Sequence, residues 1–360
     1  MQPSPSKPPR LYHPPWYLRS GHLQTIITGF YRPLAALPNP TVHRIPIGSM
    51  GHMLIHENRP TWSPSLGPQP SDEHTAVLLL HGLGSSHNGT YMTNIAQRLL
   101  DRGVRVFRAD LPGAGPSCHS TPLPPHGACH ALIFAALQYL SSELSIRRWG
   151  IAGVSLGGSI VLRLLSDSWV CARSNPNGSQ LDFDIIGAVA VAPPIDLAAS
   201  CMHVEAGVNR LYARYFIRAL KKQSLERADL WDSWKARMPH ADFSSIRKFD
   251  ETMTVHLAGF RDVQDYYASG SSRDLLHRID VPTTILIDEH DPIVPAHLFD
   301  RVNYSDTTRL VRTQFGGHVG YLCRGPGDAP NERSSRFYRW ADEWLAEELV
   351  SRLASTTMQG

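Results

Sequence analysis

The feature that most constrains the fold of this chain is a regular alternation, from residue 75 onward, of short β-branched apolar runs with amphipathic helical stretches. This alternation is typical of a parallel sheet whose strands are joined by crossover helices. Because the strands are almost continuously apolar, we expect helices on both faces of that sheet. The predicted strands span residues 76–80, 104–109, 149–154, 185–192, 283–288 and 309–313, and the predicted helices span 91–102, 128–144, 156–166, 295–302 and 334–353.

The first 70 residues follow a different pattern, since they hold half of the 28 prolines among 360 residues. Such a segment should wrap the domain as an extended arm, because proline interrupts regular structure. We expect a short helix at 20–31, a strand pair at 41–47 and 52–56, and a loop at 61–74. The arm has no apolar run of the kind a secretory signal needs, and no later stretch is long enough for a membrane helix. We therefore expect a cytoplasmic protein.

Charge and cysteine content exclude several classes of function. The 35 Lys and Arg residues against 32 Asp and Glu residues give a net charge of only +3, so nucleic acid is not a predicted partner. The five cysteines are widely spaced without a C-x-x-C pair, which indicates free thiols and no disulfide framework or zinc site. No H-E-x-x-H motif occurs. We expect no metal and no cofactor.

The strongest chemical signal is the sequence Gly-Val-Ser-Leu-Gly at 153–157, which follows a predicted strand and opens a predicted helix. This G-x-S-x-G context is that of a nucleophile elbow, in which the serine stands on a sharp turn above the sheet. The pentapeptide alone is a weak signal, and a structural Gly/Ser turn is the alternative. The flanking strand and helix favour Ser155 as a nucleophile.

A serine nucleophile needs a histidine base and a carboxylate that orients it, here in the chain order Ser, Asp, His. Asp291 follows the predicted strand at 283–288, and His318 follows the last predicted strand between glycines. We predict His318 as the general base and Asp291 as its partner. Asp288 is a competing acid, but it should still lie on the strand, and His290 is interpreted as an exposed neighbour.

An acyl-transfer site also needs backbone N–H groups that bind the oxyanion. The sequence His-Gly-Leu-Gly at 81–84 directly follows the first predicted strand of the alternating region, so the N–H groups of Leu83 and Leu156 are the predicted donors. A tight turn before a helix is the alternative for residues 81–84. A dinucleotide-binding loop is rejected because the third glycine of G-x-G-x-x-G is missing.

About 90 residues separate the predicted strands that end at 192 and begin at 283, where a crossover needs roughly a dozen. We interpret this mostly helical interval as a lid. Its first long helix should pack on the core, and the alternative is a basic amphipathic surface that contacts anionic lipid through Arg210, Arg214, Arg218 and Lys222. Aromatic residues of the lid are expected to form an acyl pocket; they are Tyr212, Tyr215, Phe216, Trp231, Trp234 and Phe260.

With these residues in place the chain resembles the α/β-hydrolase superfamily, and within it the YheT-like hydrolases, relatives of the animal abhydrolase-domain lipases. The resemblance covers about residues 12–350. Its motifs are Gly-His-Leu-Gln-Thr at 21–25, His-Gly-Leu at 81–83 followed by Tyr91, the Ser155 elbow, Ala-Pro-Pro at 192–194, Phe-Asp at 249–250, Tyr-Tyr at 266–267, His-Asp-Pro at 290–292 and Gly-Gly-His-Val-Gly at 316–320.

This resemblance implies the α/β-hydrolase fold, with a mostly parallel eight-stranded sheet covered by helices on both faces. It divides the chain into an arm at 1–40, a first part of the hydrolase domain at 41–193, a helical lid at 194–280 and a second part at 281–355. It further implies a triad of Ser155, Asp291 and His318 that cleaves short- to medium-chain acyl esters, acylglycerols or related lipids. Residues 111–115 and 126–132 depart from the family pattern, which bears on substrate shape.

Two other functions stay open at this point. An alcohol that intercepts the acyl-enzyme would make the same site an O-acyltransferase. A non-catalytic protein could instead use the lid pocket for a lipophilic ligand, although this leaves the Ser, Asp and His set unexplained. The predicted partners are a small ester or lipid substrate and, more weakly, a membrane surface, and the sequence predicts no oligomeric state.

Overall fold

Eight strands form one sheet in the computed structural model, which describes residues 12–29, 37–61, 73–167, 170, 180–324 and 337–355. The strands are β1 (Thr41–Pro46), β2 (His52–Asn58), β3 (Thr75–Leu80), β4 (Arg105–Ala109), β5 (Arg148–Val154), β6 (Asp184–Val191), β7 (Thr283–Asp288) and β8 (Thr308–Thr313). Their spatial order is β1-β2-β4-β3-β5-β6-β7-β8. Only β2 runs antiparallel to its neighbours β1 and β4, and all other pairs are parallel. The predicted mostly parallel eight-stranded sheet is confirmed.

Helices cover both faces of the sheet, as the apolar strands predicted. Helices α3 (His130–Leu144) and α4 (Leu156–Leu165) pack on one face, where Leu78, Leu80 and Ile151 point. Helices α2 (Thr90–Leu100) and α11 (Trp340–Ser355) pack on the other face, against Val77 and Leu79. Because neighbouring residues of a strand point to opposite faces, a continuous apolar run such as β3 buries every side chain.

The interval between β6 and β7 is helical and is called the insertion below. It contains α5 (Leu197–Val204), α6 (Arg210–Leu230), α7 (Asp232–Arg237), α8 (Ile246–Phe249), a π-helical segment (Asp250–Thr254), α9 (Val255–Ala258) and α10 (Val263–Gly270). Buried Leu220, Trp234, Phe249 and Met253 form a small core of its own. Residues of the insertion line one cavity together with Ser155, which directly follows β5, so the insertion lies over the carboxyl end of that strand.

One predicted helix is wrong, and another begins later than predicted. The predicted helix at 295–302 is a single 3-10 turn, Ala296–Phe299, because Arg301 adopts φ 53° and the chain leaves helical geometry. The predicted helix at 334–353 starts only at Trp340. Ahead of it, β10 (Phe337–Arg339) pairs with β9 (Leu322–Arg324), and residues 334–336 lie outside the described ranges.

The described part of the arm contains α1 (Gly21–Thr28), whose first turn is capped by the Ser20 hydroxyl. The predicted end of this helix at 30–31 lies outside the described residues, as do most of the predicted loop at 61–74 and Cys171. Between the two strands of the predicted pair, the chain forms a 3-10 turn, Gly48–Met50, followed by Gly51 with φ 89°. The described residues of the arm, 12–29 and 37–40, contribute no strand to the sheet.

Candidate active site

Ser155 forms the tight turn between the end of β5 and the start of α4, with φ 54° and ψ −123°. A serine in this left-handed region is strained, and such strain concentrates at functional sites. Glycine is required at 153 and 157 because a side chain at either position would collide with nearby backbone. A Cβ on Gly157 would lie 2.4 Å from the carbonyl oxygen of Leu80, and one on Gly153 would lie 2.2 Å from the backbone of Gly157. The strand, turn and helix expected around Ser155 are all present.

The side chains of Ser155, His318 and Asp291 form a hydrogen-bonded row. The His318 Nε2 atom lies 2.9 Å from Ser155 Oγ, and its Nδ1 atom lies 2.8 Å from Asp291 Oδ2. The other carboxylate oxygen, Oδ1, accepts the backbone N–H groups of Ile293 and Val294 at 2.7 and 3.0 Å. The carboxylate is thereby fixed, and it favours the imidazole tautomer that carries its proton on Nδ1 and can accept a proton on Nε2.

The backbone of His318 is held by α1 of the arm. Its N–H donates to Thr25 Oγ1 at 2.8 Å, and the Thr25 hydroxyl donates to the carbonyl oxygen of Gly21 at 2.7 Å. A Cβ on Gly317, which has φ 62°, would lie 2.2 Å from that same Gly21 oxygen. Helix α1 therefore packs directly against the loop that carries His318.

The arm also contacts the neighbouring segments through Gln24 and His22, two residues of the 21–25 motif. Gln24 is fully buried; its Nε2 donates to the carbonyl oxygen of Leu322, and its Oε1 accepts the N–H of the same residue. The His22 ring stacks on Tyr212 of α6, with Nδ1 2.9 Å from the tyrosine hydroxyl. The arm thus connects the His318 loop to the insertion.

Asp288, the competing acid, lies at the end of β7 and does not contact His318. Its carboxylate accepts the N–H groups of Gly316 and Gly317 at 2.7 and 3.1 Å and the Thr313 hydroxyl at 2.8 Å. Burial raises its pKa in spite of these bonds. Asp288 therefore anchors the loop before His318. His290 is exposed and stacks on Phe315, as expected for a neighbour of the site.

Leu83 and Leu156, the predicted oxyanion donors, border the same cavity as Ser155. Leu156 is the first residue of α4, so its N–H has no acceptor within the helix. In the loop before Leu83, the Gly82 N–H donates to the Tyr91 hydroxyl at 2.8 Å, and a Cβ on Gly82 would lie 3.0 Å from the Cβ of Ser155. Tyr91 thus holds this loop close to Ser155.

A cavity of about 780 Å³, counted with its open mouth, begins at Ser155 and extends under the insertion. Its wall is largely apolar. Phe216 and Leu220 of α6 cover it, and Leu197, Val204 and Ile293 line its sides. Such a cavity suits the hydrocarbon part of a small molecule.

Five of the six aromatic residues predicted for this pocket do not line it, and only Phe216 does. Trp231 and Trp234 instead donate their indole N–H groups to the carbonyl oxygens of Cys118 and Pro122, which fastens the insertion to the hydrolase core. Tyr215 is 68% exposed. Tyr212 bonds to the arm, and Phe260 packs on His126. The sequence placed these aromatic residues in the insertion but did not specify which of its surfaces each one faces.

A model of the alpha/beta hydrolase family matches residues 77–337, a range that contains all five predicted site residues. This chain belongs to the alpha/beta hydrolase family. Among alpha/beta hydrolases, it is 27% identical over 324 residues to the YheT protein of Escherichia coli (strain K12), covering 84% of each chain. The expected resemblance to YheT-like hydrolases and abhydrolase-domain lipases is confirmed.

Two further relatives of this alpha/beta hydrolase are named as lipid-cleaving enzymes. It is 26% identical over 305 residues to the monoacylglycerol lipase of Saccharomyces cerevisiae, covering 80% of this chain and 62% of that one. It is 24% identical over 256 residues to phospholipase ABHD3 of Mus musculus, covering 68% and 58%. These relatives support a hydrolase of the esterase or lipase type.

A solved structure, that of 2,6-dihydroxy-pseudo-oxynicotine hydrolase, matches with a TM-score of 0.52 at 19% identity, covering 92% of this chain and 72% of that one. At this identity the likeness shows the alpha/beta hydrolase fold alone. Within the described ranges, no helix is both long and apolar enough to cross a bilayer.

A buried cluster that sequence analysis missed supports the loop before α2. Asp110, at the end of β4, accepts His56 Nε2 at 2.8 Å, His87 Nδ1 at 2.9 Å and the His87 N–H at 2.8 Å. Burial opposes ionisation of Asp110, but the two histidines outweigh it and lower its pKa to about 2. Arg108 adds a hydrogen bond to the His87 carbonyl oxygen at 2.6 Å. The three segments that meet here are far apart in sequence, so no local pattern indicates the cluster.

His56, His87 and Asp110 are also described residues whose potential metal-ligand atoms lie within 4.8 Å of one another. Their direct hydrogen bonds, together with the stacked His56 and His87 rings 3.4 Å apart, account for the arrangement as a support for the loop. The positively charged Arg108 side chain lies beside this cluster and would repel a metal ion bound there. We therefore assign this cluster a structural role.

Proposed function

We propose that this alpha/beta hydrolase cleaves carboxylic esters through an acyl-enzyme on Ser155. The observation that carries the proposal is the unbroken hydrogen-bond row from Ser155 through His318 to Asp291 at the mouth of an apolar cavity. A serine hydroxyl becomes an effective nucleophile when a neighbouring base can take its proton. The family membership and the names of the relatives support the same class of reaction.

The reaction proceeds in two halves. In the first, Ser155 Oγ attacks the ester carbonyl carbon while its proton moves to His318 Nε2, and Asp291 stabilises the imidazolium that forms. The carbonyl electron pair moves onto oxygen, where the N–H groups of Leu83 and Leu156 would bind the oxyanion. When the C–O bond breaks, His318 returns the proton to the leaving alcohol. In the second half, water attacks the acyl-enzyme by the same route and releases the acid.

The insertion acts in this proposal as the lid of residues 194–280. Its helix α6 contributes Phe216 and Leu220 to the cavity, so the acyl chain would lie under this helix. The dimensions and apolar wall favour short- to medium-chain acyl esters, acylglycerols or related lipids. A panel of p-nitrophenyl esters from acetate to palmitate, compared by kcat/KM, measures the preferred chain length.

A fluorophosphonate probe tests the proposed nucleophile. We expect the wild-type protein to be labelled and the Ser155→Ala variant not to be labelled. Ser159→Ala is the matched control, because Ser159 lies in the same helix but donates its hydroxyl to the carbonyl oxygen of Pro194, away from His318. Folded wild-type protein that resists the probe and leaves every ester intact would rule out the proposal.

The product mixture separates hydrolysis from acyl transfer. The same ester is incubated in buffer with and without ethanol, and the acid and ethyl ester are quantified. Free acid as the main product in both conditions is the expected result. Ethyl ester as the main product would identify the acyltransferase alternative.

A further inference from the structure

Part of the cavity wall is polar although the rest of the wall is apolar. The polar groups come from three elements of the insertion; they are Ser200 and Cys201 of α5, Asp250 and Thr254 of the π-helical segment, and Tyr267 of α10. π-Helical turns are rare and occur frequently at functional sites. The proposed hydrolysis uses none of these side chains.

Asp250 is a buried carboxyl group in this wall without a basic partner among the described residues. Its Oδ1 accepts the Thr254 hydroxyl at 2.7 Å and its Oδ2 accepts the Tyr267 hydroxyl at 3.0 Å. Burial, reinforced by the charges of Glu205 and Glu251, raises the pKa of Asp250 to about 7 in spite of these two bonds. Each carboxyl oxygen has a further lone pair with which it can accept a hydrogen bond.

Ser200 supplies a second, independent observation. Its hydroxyl is buried and has no hydrogen-bond partner in the part of the chain that the structure describes. A buried polar group left unpaired destabilises the fold, so such groups are uncommon unless something else binds them. Ser200 borders the cavity, and a small displacement of its side chain would bring the hydroxyl to a molecule bound there.

We propose that Ser200 and Asp250 form a polar subsite that binds a hydroxyl group of the ester substrate. A hydroxyl donates one hydrogen bond and accepts others, so it can donate to the carboxyl group of Asp250 and accept from the hydroxyl of Ser200. The subsite selects hydroxyl-bearing esters over purely hydrocarbon esters. This inference rests on the proposed ester hydrolysis for the nature of the ligand, but binding at the subsite does not require the chemical step.

Ethers that cannot be hydrolysed test the subsite apart from catalysis. Three ligands are compared by isothermal titration calorimetry: octyl propyl ether without a hydroxyl, octyl glyceryl ether with hydroxyls at the short end, and propyl 8-hydroxyoctyl ether with a hydroxyl at the far end. We expect at least one hydroxyl-bearing ether to bind about 10-fold more tightly than octyl propyl ether. The ligand that gains affinity shows which side of the ester the subsite contacts.

Substitutions of Ser200 and Asp250 then test whether these two residues cause the higher affinity for the hydroxyl-bearing ether. We expect the advantage of the hydroxyl-bearing ether to fall several-fold in Ser200→Ala and in Asp250→Asn. Ser200→Ala should keep the thermal stability of the wild type, since its hydroxyl bonds to no described group of the protein. Val204→Ala, which alters an apolar part of the same wall, should weaken all three ligands alike.

The outcomes of the two proposals are separable. Equal affinities for the three ethers, or an advantage that survives both substitutions, would overturn the subsite even if the fluorophosphonate labels Ser155. A hydroxyl advantage that disappears in Ser200→Ala would support the subsite even if no ester is cleaved.

Discussion

The two carboxylate oxygens of Asp291 have different hydrogen-bond partners. Oδ1 is held by the N–H groups of Ile293 and Val294, and Oδ2 is left to hold the imidazole of His318. Asp288, three residues earlier, uses its carboxylate to fasten the Gly316 and Gly317 backbone. These two carboxylates are close in sequence, but they act on different atoms of the same loop region.

We expect Asp291→Asn to lower kcat by roughly 10³- to 10⁴-fold, because an amide can donate to Nδ1 and so stabilise the wrong imidazole tautomer. Asp288→Asn should instead lower mainly the free energy of unfolding, by about 1–3 kcal/mol, since buried N–H groups lose their acceptor. Ester turnover and urea denaturation of both variants check this. A larger loss of kcat in Asp288→Asn than in Asp291→Asn would contradict the assignment.

At the scale of elements, helix α1 bonds directly to a residue of the predicted triad through the side chain of Thr25. The Thr25 hydroxyl accepts the N–H of His318, and no atom of Thr25 needs to contact a substrate for this bond to position the imidazole. Thr25 is therefore a positioning residue.

We expect Thr25→Val, which keeps the shape of the side chain, to lower kcat about 10-fold by leaving the His318 N–H unpaired. Thr25→Ser should restore most of the activity, because it restores the acceptor. Ester turnover of the two variants is compared at matched fractions of folded protein. If the valine and serine variants are equally impaired, the hydroxyl does not position His318.

The loop before α3 contains His126, a buried histidine enclosed by Phe260 and Tyr266. Its Nδ1 accepts the N–H of Ala128, which requires an unprotonated nitrogen. Burial, together with the nearby charge of His130, lowers the pKa of His126 to about 4. The fold therefore favours the neutral ring, whereas the unfolded chain takes up the proton near pH 6.5.

The burial of neutral His126 does not lower the free energy of unfolding above about pH 6.5. As the pH falls towards 4, the unfolded chain binds a proton that the buried ring does not, and the free energy of unfolding falls by up to about 3 kcal/mol. We expect His126→Phe, which keeps an aromatic ring, to lose less free energy of unfolding between pH 7 and pH 4.5 than the wild type does. Urea denaturation at the two pH values measures the difference. The exposed His277→Phe serves as the matched control and should follow the wild type.

At the scale of the whole molecule, the outer surface of α6 is both apolar and basic. It exposes Leu211 and Tyr215, each 68% accessible, beside Arg210, Arg214 and Arg218. The opposite side of the same helix covers the cavity with Phe216 and Leu220. A basic and apolar surface of this kind is typical of helices that lie on anionic membranes. The weak membrane contact predicted from the sequence stays a prediction.

We expect the protein to sediment with vesicles of anionic phospholipid at low salt and to be released at high salt, because screening weakens the attraction. The double variant Arg214→Glu, Arg218→Glu should bind less. Arg147→Glu is the control, because Arg147 directly precedes β5 and therefore lies at the amino ends of the strands. Binding that is indifferent to salt and to the double substitution would exclude this role for α6.

The sequence predicted all eight strands of the sheet. The central strands β3, β4 and β7 are short apolar runs that are buried throughout, and burial of this kind is encoded locally, whereas the outer strands β1 and β8 are largely polar and were predicted from β-branched residues beside turns or helices. Ser155, Asp291 and His318 could be found because each follows a predicted strand at the edge where an alpha/beta sheet carries its site. Contacts between distant segments left no such signal. The Asp110 cluster, the pairing of β9 with β10, and the unpartnered hydroxyl of Ser200 each depend on which segment lies opposite, which periodicity does not specify.

The bond between Thr25 and His318 joins residues 293 positions apart. Contacts of such long sequence separation form late in folding, since the ends of a very long loop must meet. During translation, the ribosome releases the Ser155 segment well before the His318 segment. A nascent chain therefore carries a serine without its base, and the ability to cleave esters should arise only after the His318 segment has left the ribosome.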